Sequence, residues 1–280
     1  MRARLSVLAA AILVGLGLVA PATPASASTG GTVDGDTHPN VGFILFYDGT
    51  GRYRCSATLV SPTVVLTAAH CTLGTVGKTL VTFDSVIALE PPNNLPRAAD
   101  PAAGFTAEEL AEAGYLSGEA HTHPEYSDFT DLDNWNDVGV IVLDEPVTDI
   151  APAPIAGLGT LDGIKHPRKT LFRAVGYGTE VRKPATGPQK PTVEDYPILR
   201  RYVDMPGQKI TPQILQTNGN EKDPFGTGGT CFGDSGGPVF LDGEIVAVTS
   251  YGYTANCRYL GGYQRVEIPV VADWLATFGL

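Results

Sequence analysis

Basic residues are scarce in this chain of 280 residues: 19 Lys and Arg stand against 30 Asp and Glu, for a formal net charge of −11. So acidic a surface disfavours nucleic acid and anionic membrane as partners and otherwise favours solubility. Cysteine is rare as well, with four at positions 55, 71, 231 and 257, and no close Cys-x-x-Cys pair occurs to suggest a zinc site. No apolar run reaches the ~20 residues of a membrane-spanning helix. Internal repeats are absent, and sustained helical periodicity is missing everywhere except at the C-terminus.

What is there begins with Met1-Arg2-Ala3-Arg4, an apolar run from Leu5 to Ala20 broken only by Ser6, and small residues ending in Ala25-Ser26-Ala27. A basic start, a short apolar stretch and an A-x-A site read as a secretory signal peptide over residues 1–27, with cleavage expected after Ala27 and an extracellular product. The rival reading, an uncleaved anchor helix, lacks the length and the basic stop-transfer residues. In an exported chain an even cysteine count favours two disulfides over metal binding, and three pairings remain open on composition alone.

Segments rich in β-branched and aromatic residues, bounded by Gly, Pro, Asn or Asp, recur at Gly42–Tyr47, Ala57–Leu66, Thr79–Leu89, Val138–Leu143, Leu171–Gly176, Pro238–Leu241 and Ile245–Tyr251. These predict strands. Val270, Val271, Trp274, Leu275 and Phe278 recur at helical spacing after Pro269 and predict a C-terminal helix. The fold class is therefore all-β with a terminal helix, in a sandwich or barrels. Two stretches read as inserts: residues 90–135, with a short surface helix at Ala107–Ala113, and the proline-rich loop 181–197.

Ser235 stands in Cys231-Phe232-Gly233-Asp234-Ser235-Gly236-Gly237-Pro238, bracketed by glycines directly before an apolar strand. Glycine opens backbone conformations closed to other residues, so this turn can aim the N–H groups of Gly233 and Ser235 at one point, as an oxyanion hole requires. A serine hydroxyl needs a neighbouring base. His70, in Leu66-Thr67-Ala68-Ala69-His70-Cys71, ends an apolar strand beside a cysteine that can lock it, whereas His38, His121, His123 and His166 lie in polar or proline-containing loops. The imidazole in turn needs a buried carboxylate to orient it. Asp137 stands at the mouth of the strand Val138–Leu143, while Asp128, Asp131 and Asp133 read as a solvated acidic loop.

Thr67-Ala68-Ala69-His70-Cys71, Asp137 before its strand, and Gly233-Asp234-Ser235-Gly236-Gly237-Pro238, in that order, resemble the chymotrypsin-like or trypsin-like serine peptidases. The resemblance covers most of the chain after the leader. It implies two antiparallel six-stranded β-barrels with the triad His70, Asp137 and Ser235 in the cleft between them, and disulfides Cys55–Cys71 and Cys231–Cys257. It implies acyl transfer to water on a protein or peptide substrate, by a monomer with no cofactor and no metal. Ser250 is similar to the family serine that hydrogen-bonds the buried aspartate, and the adjoining backbone would hold substrate as an extra strand. In many family members a freed N-terminus pairs with the aspartate before the nucleophile, here Asp234. The segment placed to supply it starts at Thr32, so residues 28–31 read as a short propeptide and 32–280 as the peptidase domain.

By the same resemblance the specificity pocket is built from Gly229, Thr230, Ser250, Tyr251, Gly252 and Gly261, with Gly229 where trypsin-like enzymes carry an aspartate. With no acid there, a large apolar or aromatic side chain is expected on the acyl side of the cut; a trypsin-like preference for Lys or Arg is the alternative, if Glu221, Asp223 or Glu244 reaches the pocket. His121-Thr122-His123 lacks a third metal ligand, and the acidic stretch 128–137 lacks EF-hand spacing. Two rival functions stand against the peptidase. One is a binding module on the same fold that would be indifferent to Ser235→Ala. The other is an esterase of another fold, which would need a Gly-x-Ser-x-Gly elbow and serine before histidine in the chain.

Overall fold

The computed structural model describes residues 30–182 and 192–280. The leader reading at 1–27, Ser28 and Thr29 of the propeptide reading, and the centre of the proline-rich loop lie outside the described residues.

Six strands close the first barrel: β1 (Val41–Tyr47), β2 (Arg52–Ser61), β3 (Val64–Thr67), β4 (Val76–Thr82), β5 (Leu116–Thr122) and β6 (Gly139–Leu143). They pair antiparallel in the order β1-β2-β3-β6-β5-β4, and β4 returns to β1. Six more make the second: β7 (Leu171–Gly176), β8 (Arg201–Ile210), β9 (Ile214–Asn218), β10 (Pro238–Leu241), β11 (Glu244–Gly252) and β12 (Leu260–Arg265). Their order is β8-β9-β12-β11-β10-β7, closed by β7 on β8.

Successive side chains of a strand point to opposite faces. In β1, Ile44 and Phe46 therefore enter the first barrel with Leu59, Val65 and Ile141, while Phe43 and Leu45 face the joint between barrels with Leu66, Val140, Val175 and Val248. Both faces are covered, which is why the segment is apolar throughout. The second barrel fills with Phe172, Val203, Met205, Leu215, Val246 and Tyr263. The terminal helix α2 (Pro269–Ala276) buries Val271 and Leu275 in the joint cluster.

The run Ala57–Leu66 divides into β2 and β3 at Pro62 and Thr63, since proline has no N–H to donate to a ladder. The stretch 90–135 is only partly an insert. It contains α1 (Ala107–Glu112), whose Thr106 and Glu109 form a capping box, and then β5, which the first barrel needs for closure. Leu-Ser-Gly-Glu-Ala-His-Thr has little strand propensity; its pairing with β4 and β6 makes it a strand.

Candidate active site

After β3 the chain makes one tight turn, Ala69–Cys71, pinned by the disulfide from Cys71 to Cys55 on β2. This turn presents His70 to Asp137. The His70 backbone N–H donates to Asp137 Oδ1 at 2.9 Å, and ring Nδ1 lies 2.8 Å from Oδ2. A carboxylate only accepts, so Nδ1 carries the proton and Nε2 keeps its lone pair, the tautomer of a general base.

Asn136, in the left-handed region at φ 45°, turns the chain so that Asp137 points inward, and the carboxylate is fully buried. Ser250 Oγ donates to Oδ2 at 2.6 Å and itself accepts the Trp135 indole N–H at 2.9 Å. The Asp137 N–H donates to Gln264 Oε1 at 3.1 Å. Burial pushes the His70 imidazole down, but the Asp137 charge and hydrogen bond, with a smaller push from Asp128, outweigh it and hold His70 above its ordinary value.

Ser235 sits in the turn before β10, where Gly233 at φ 97° and Gly236 at φ 74° adopt backbone that L-residues avoid. Two bonds to Ser56 tie the turn to the first barrel: its N–H donates to Ser235 O and its Oγ to Gly233 O, each at 2.8 Å. With those carbonyls engaged, the N–H groups of Gly233 and Ser235 have no acceptor among the described residues. Ser235 and His70 line the same cleft. Hydrogen bonds between such partners commonly tighten only when substrate is bound.

In the uncleaved chain Thr32 is exposed and pairs with Tyr202 at the start of β8. The Asp234 carboxylate accepts from the N–H groups of Gly178 and Cys231, both at 2.8 Å.

Beside Ser235 lies a cavity of about 350 Å³ walled by Thr230, Ser250, Tyr251, Gly252 and Gly261, five of the six pocket residues expected. Gly229 stands behind the wall that Gly219 supplies: a Cβ on Gly229 would lie 2.5 Å from Gly219 Cα. The acids that would make the pocket trypsin-like are elsewhere. Glu221 pairs with Arg258, Asp223 accepts from Asn218, and Glu244 is exposed at the start of β11. The second disulfide, Cys231–Cys257, ties the nucleophile turn to the cavity wall.

Several site residues went unread in the sequence. Trp135, Gln264 and Gly219 carried no motif, and Phe129, at φ 62°, lays its ring 5.5 Å from His70 and 5.2 Å from Trp135. Trp135 continues to Tyr251 and Tyr253 in a row of aromatic rings. A rare tryptophan two residues before the strand-end aspartate was the one available signal. His123 docks α2, with Nε2 donating to Val270 O at 3.3 Å and Nδ1 accepting the Glu125 N–H at 3.1 Å. Among the described residues, the group Cys55, His70 and Cys71 is close enough for a metal, but its sulfurs are joined in the disulfide.

The family model described as Trypsin matches residues 32–275. Brachyurin from Leptuca pugilator is 30% identical over 240 residues, covering 83% of this chain and 90% of its own. A trypsin from Saccharopolyspora erythraea is 30% identical over 209 residues, covering 72% and 77%. Among solved structures, HL collagenase superposes with a TM-score of 0.61 at 18% identity, over 88% of this chain and 96% of its own. Human heparin binding protein gives 0.58 at 16%, over 89% and 95%; at these identities the likeness concerns the fold alone.

Proposed function

The chain belongs to the trypsin family and is a serine endopeptidase, and from that premise we propose that His70, Asp137 and Ser235 form its triad and that it is exported to cut after large apolar or aromatic residues. The observation that carries this reading is the bond series from Trp135 through Ser250 and Asp137 to His70, ending in a cleft shared with Ser235.

Ser235 Oγ attacks the scissile carbonyl carbon while its proton passes to His70 Nε2, and the oxygen that gains negative charge meets the N–H groups of Gly233 and Ser235. The C–N bond breaks as His70 returns the proton to the leaving amine. Water then repeats the sequence on the acyl ester, freeing the acid and restoring Ser235. No step needs a cofactor or a second subunit. The glycine-walled cavity, free of acids, supports an apolar or aromatic residue on the acyl side. Export is supported by the leader pattern at residues 1–27.

The test is to incubate the secreted form and its Ser235→Ala variant with a complex peptide mixture and identify new termini by mass spectrometry. Cleavage by wild type alone, after Phe, Tyr, Leu or Met, is the expected outcome; cuts after Lys or Arg would overturn the pocket reading, and no cuts by the secreted form or by a chain trimmed to Thr32 would overturn the triad reading. A chain trimmed to begin at Thr32 tests the propeptide reading, since activity gained on trimming would link that terminus to Asp234.

A further inference from the structure

Resting on that proposed triad, we infer that Arg54 selects a carboxylate on the leaving-group side of the scissile bond. His70 hands its proton to the leaving amine, so that side of the substrate lies over the cavity that His70 and Ser235 line together, away from the pocket walled by Gly252 and Gly261. Arg54 lines this cavity, on β2 next to Cys55, whose disulfide to Cys71 holds it in register with the His70 turn. Its Nε is 3.5 Å from where a Cβ on Gly233 would stand, so the guanidinium borders the oxyanion turn.

Two other charges of the cavity are already engaged. Asp48 Oδ1 accepts the Thr50 N–H, the Thr50 hydroxyl and the Gly51 N–H, and Arg52 donates to Pro96 O at 2.7 Å. Among the described residues, Asp195, Tyr196 and Asp234 act on the Arg54 guanidinium through their charge, and none of them hydrogen-bonds it. Burial lowers its pKa, and of the charges that act against this Asp195 is the strongest. Asp195 is exposed and also lines the cavity, so it stands in for the carboxylate that a substrate would bring. In a chain with a net charge of −11, a partly desolvated cation beside the reacting atoms that is not hydrogen-bonded by the described acids around it is a selective feature. A guanidinium–carboxylate bond in such a place is worth roughly tenfold in kcat/KM between an acidic and a neutral residue.

The experiment uses peptides with one fixed acyl-side residue, Asp, Glu, Asn or Gln at each of the first three leaving-side positions, and an amidated C-terminus. A matched short set ends in a free carboxylate. The readout is the acidic-to-neutral kcat/KM ratio of each enzyme. Wild type should favour the acid about tenfold at one position; Arg54→Gln should bring the ratio to about one, Arg54→Lys should keep part of it, and Asp195→Asn should raise it. A preference confined to the short set would assign the carboxylate to the substrate's chain end. A wild-type ratio near one in both sets, or a ratio indifferent to Arg54→Gln and Asp195→Asn, overturns the inference. Should Arg54→Gln fail to fold, the exposed Asp195→Asn change decides alone. Failure of the triad reading is separate, because wild type would then cut no peptide of either charge.

Discussion

Three donors converge on the Asp137 carboxylate: the His70 N–H on one oxygen, and His70 Nδ1 with Ser250 Oγ on the other. In Asp137→Asn an amide replaces one acceptor oxygen with a donor, which favours the wrong tautomer of His70. In related triads such a change lowers kcat by about four orders of magnitude, and steady-state kinetics should show a loss of that size here. The pH profile belongs to the same residue. As the proposed base, His70 would have to be neutral to accept the serine proton, and its pKa is raised, so the acid limb of kcat/KM should have its midpoint above the ordinary histidine value of about 6.5. A profile flat from about pH 5 to 9 would remove His70 as the base. At this scale the sequence was most legible, because Ser235, His70 and Asp137 each stand at a strand end within a short motif. Arg54, Gln264 and Trp135 have no motif of their own; what they do depends on residues far away in the chain.

Helix α2 is anchored by Val271 and Leu275, with the Trp274 ring 5.0 Å from His123 and Phe278 5.4 Å from His121. Leu275→Ala opens a cavity in the joint cluster and should cost about 2–5 kcal/mol in urea unfolding. A loss below about 0.5 kcal/mol would mean the helix contributes little to global stability. Burial lowers the His123 pKa against the opposing Val270 bond and Glu125 charge. A base with a lowered folded-state pKa binds its proton more readily when unfolded, so this contribution declines as pH falls below about 6.5. Apolar periodicity made this helix readable. Strands β5, β8, β9 and β12 were not read, since Leu-Ser-Gly-Glu-Ala-His-Thr and Leu-Gly-Gly-Tyr-Gln-Arg become strands through their partners and not through propensity.

Across the whole molecule the barrels are joined by Arg200, a guanidinium with almost no solvent exposure. Its Nε donates to Asp34 Oδ2 at 2.8 Å, Nη1 to the carbonyls of Val41 and Phe83, both at 2.9 Å, and Nη2 to Gly35 O at 2.7 Å. Asp34 also meets the His38 ring. One side chain thus connects the N-terminal segment, the first barrel and the start of the second. Asp34→Ala leaves a buried cation without its counter-charge and should cost about 3–5 kcal/mol in thermal or urea unfolding; a near-neutral effect would show that Arg200 is satisfied by carbonyls alone. Burial raises the Asp34 pKa, but the bonds from His38 and Arg200 lower it further, to below its ordinary value. Its contribution is therefore present above about pH 4 and lost as pH falls through the folded-state value.

The sequence by itself determined the class of chemistry, the all-β architecture with its terminal helix, and the three residues we propose at its centre, because strand alternation and glycine-bracketed turns are local properties of the chain. Only the tertiary structure decided which residues stand behind that chemistry. Ser56 holds the serine turn, Gly219 and not Gly229 lines the cavity beside Ser235, Thr32 lies along β8, and Arg54 lines the cleft with His70 and Ser235. The reason is sequence separation: these contacts join residues far apart in the chain, and only barrel closure brings them together.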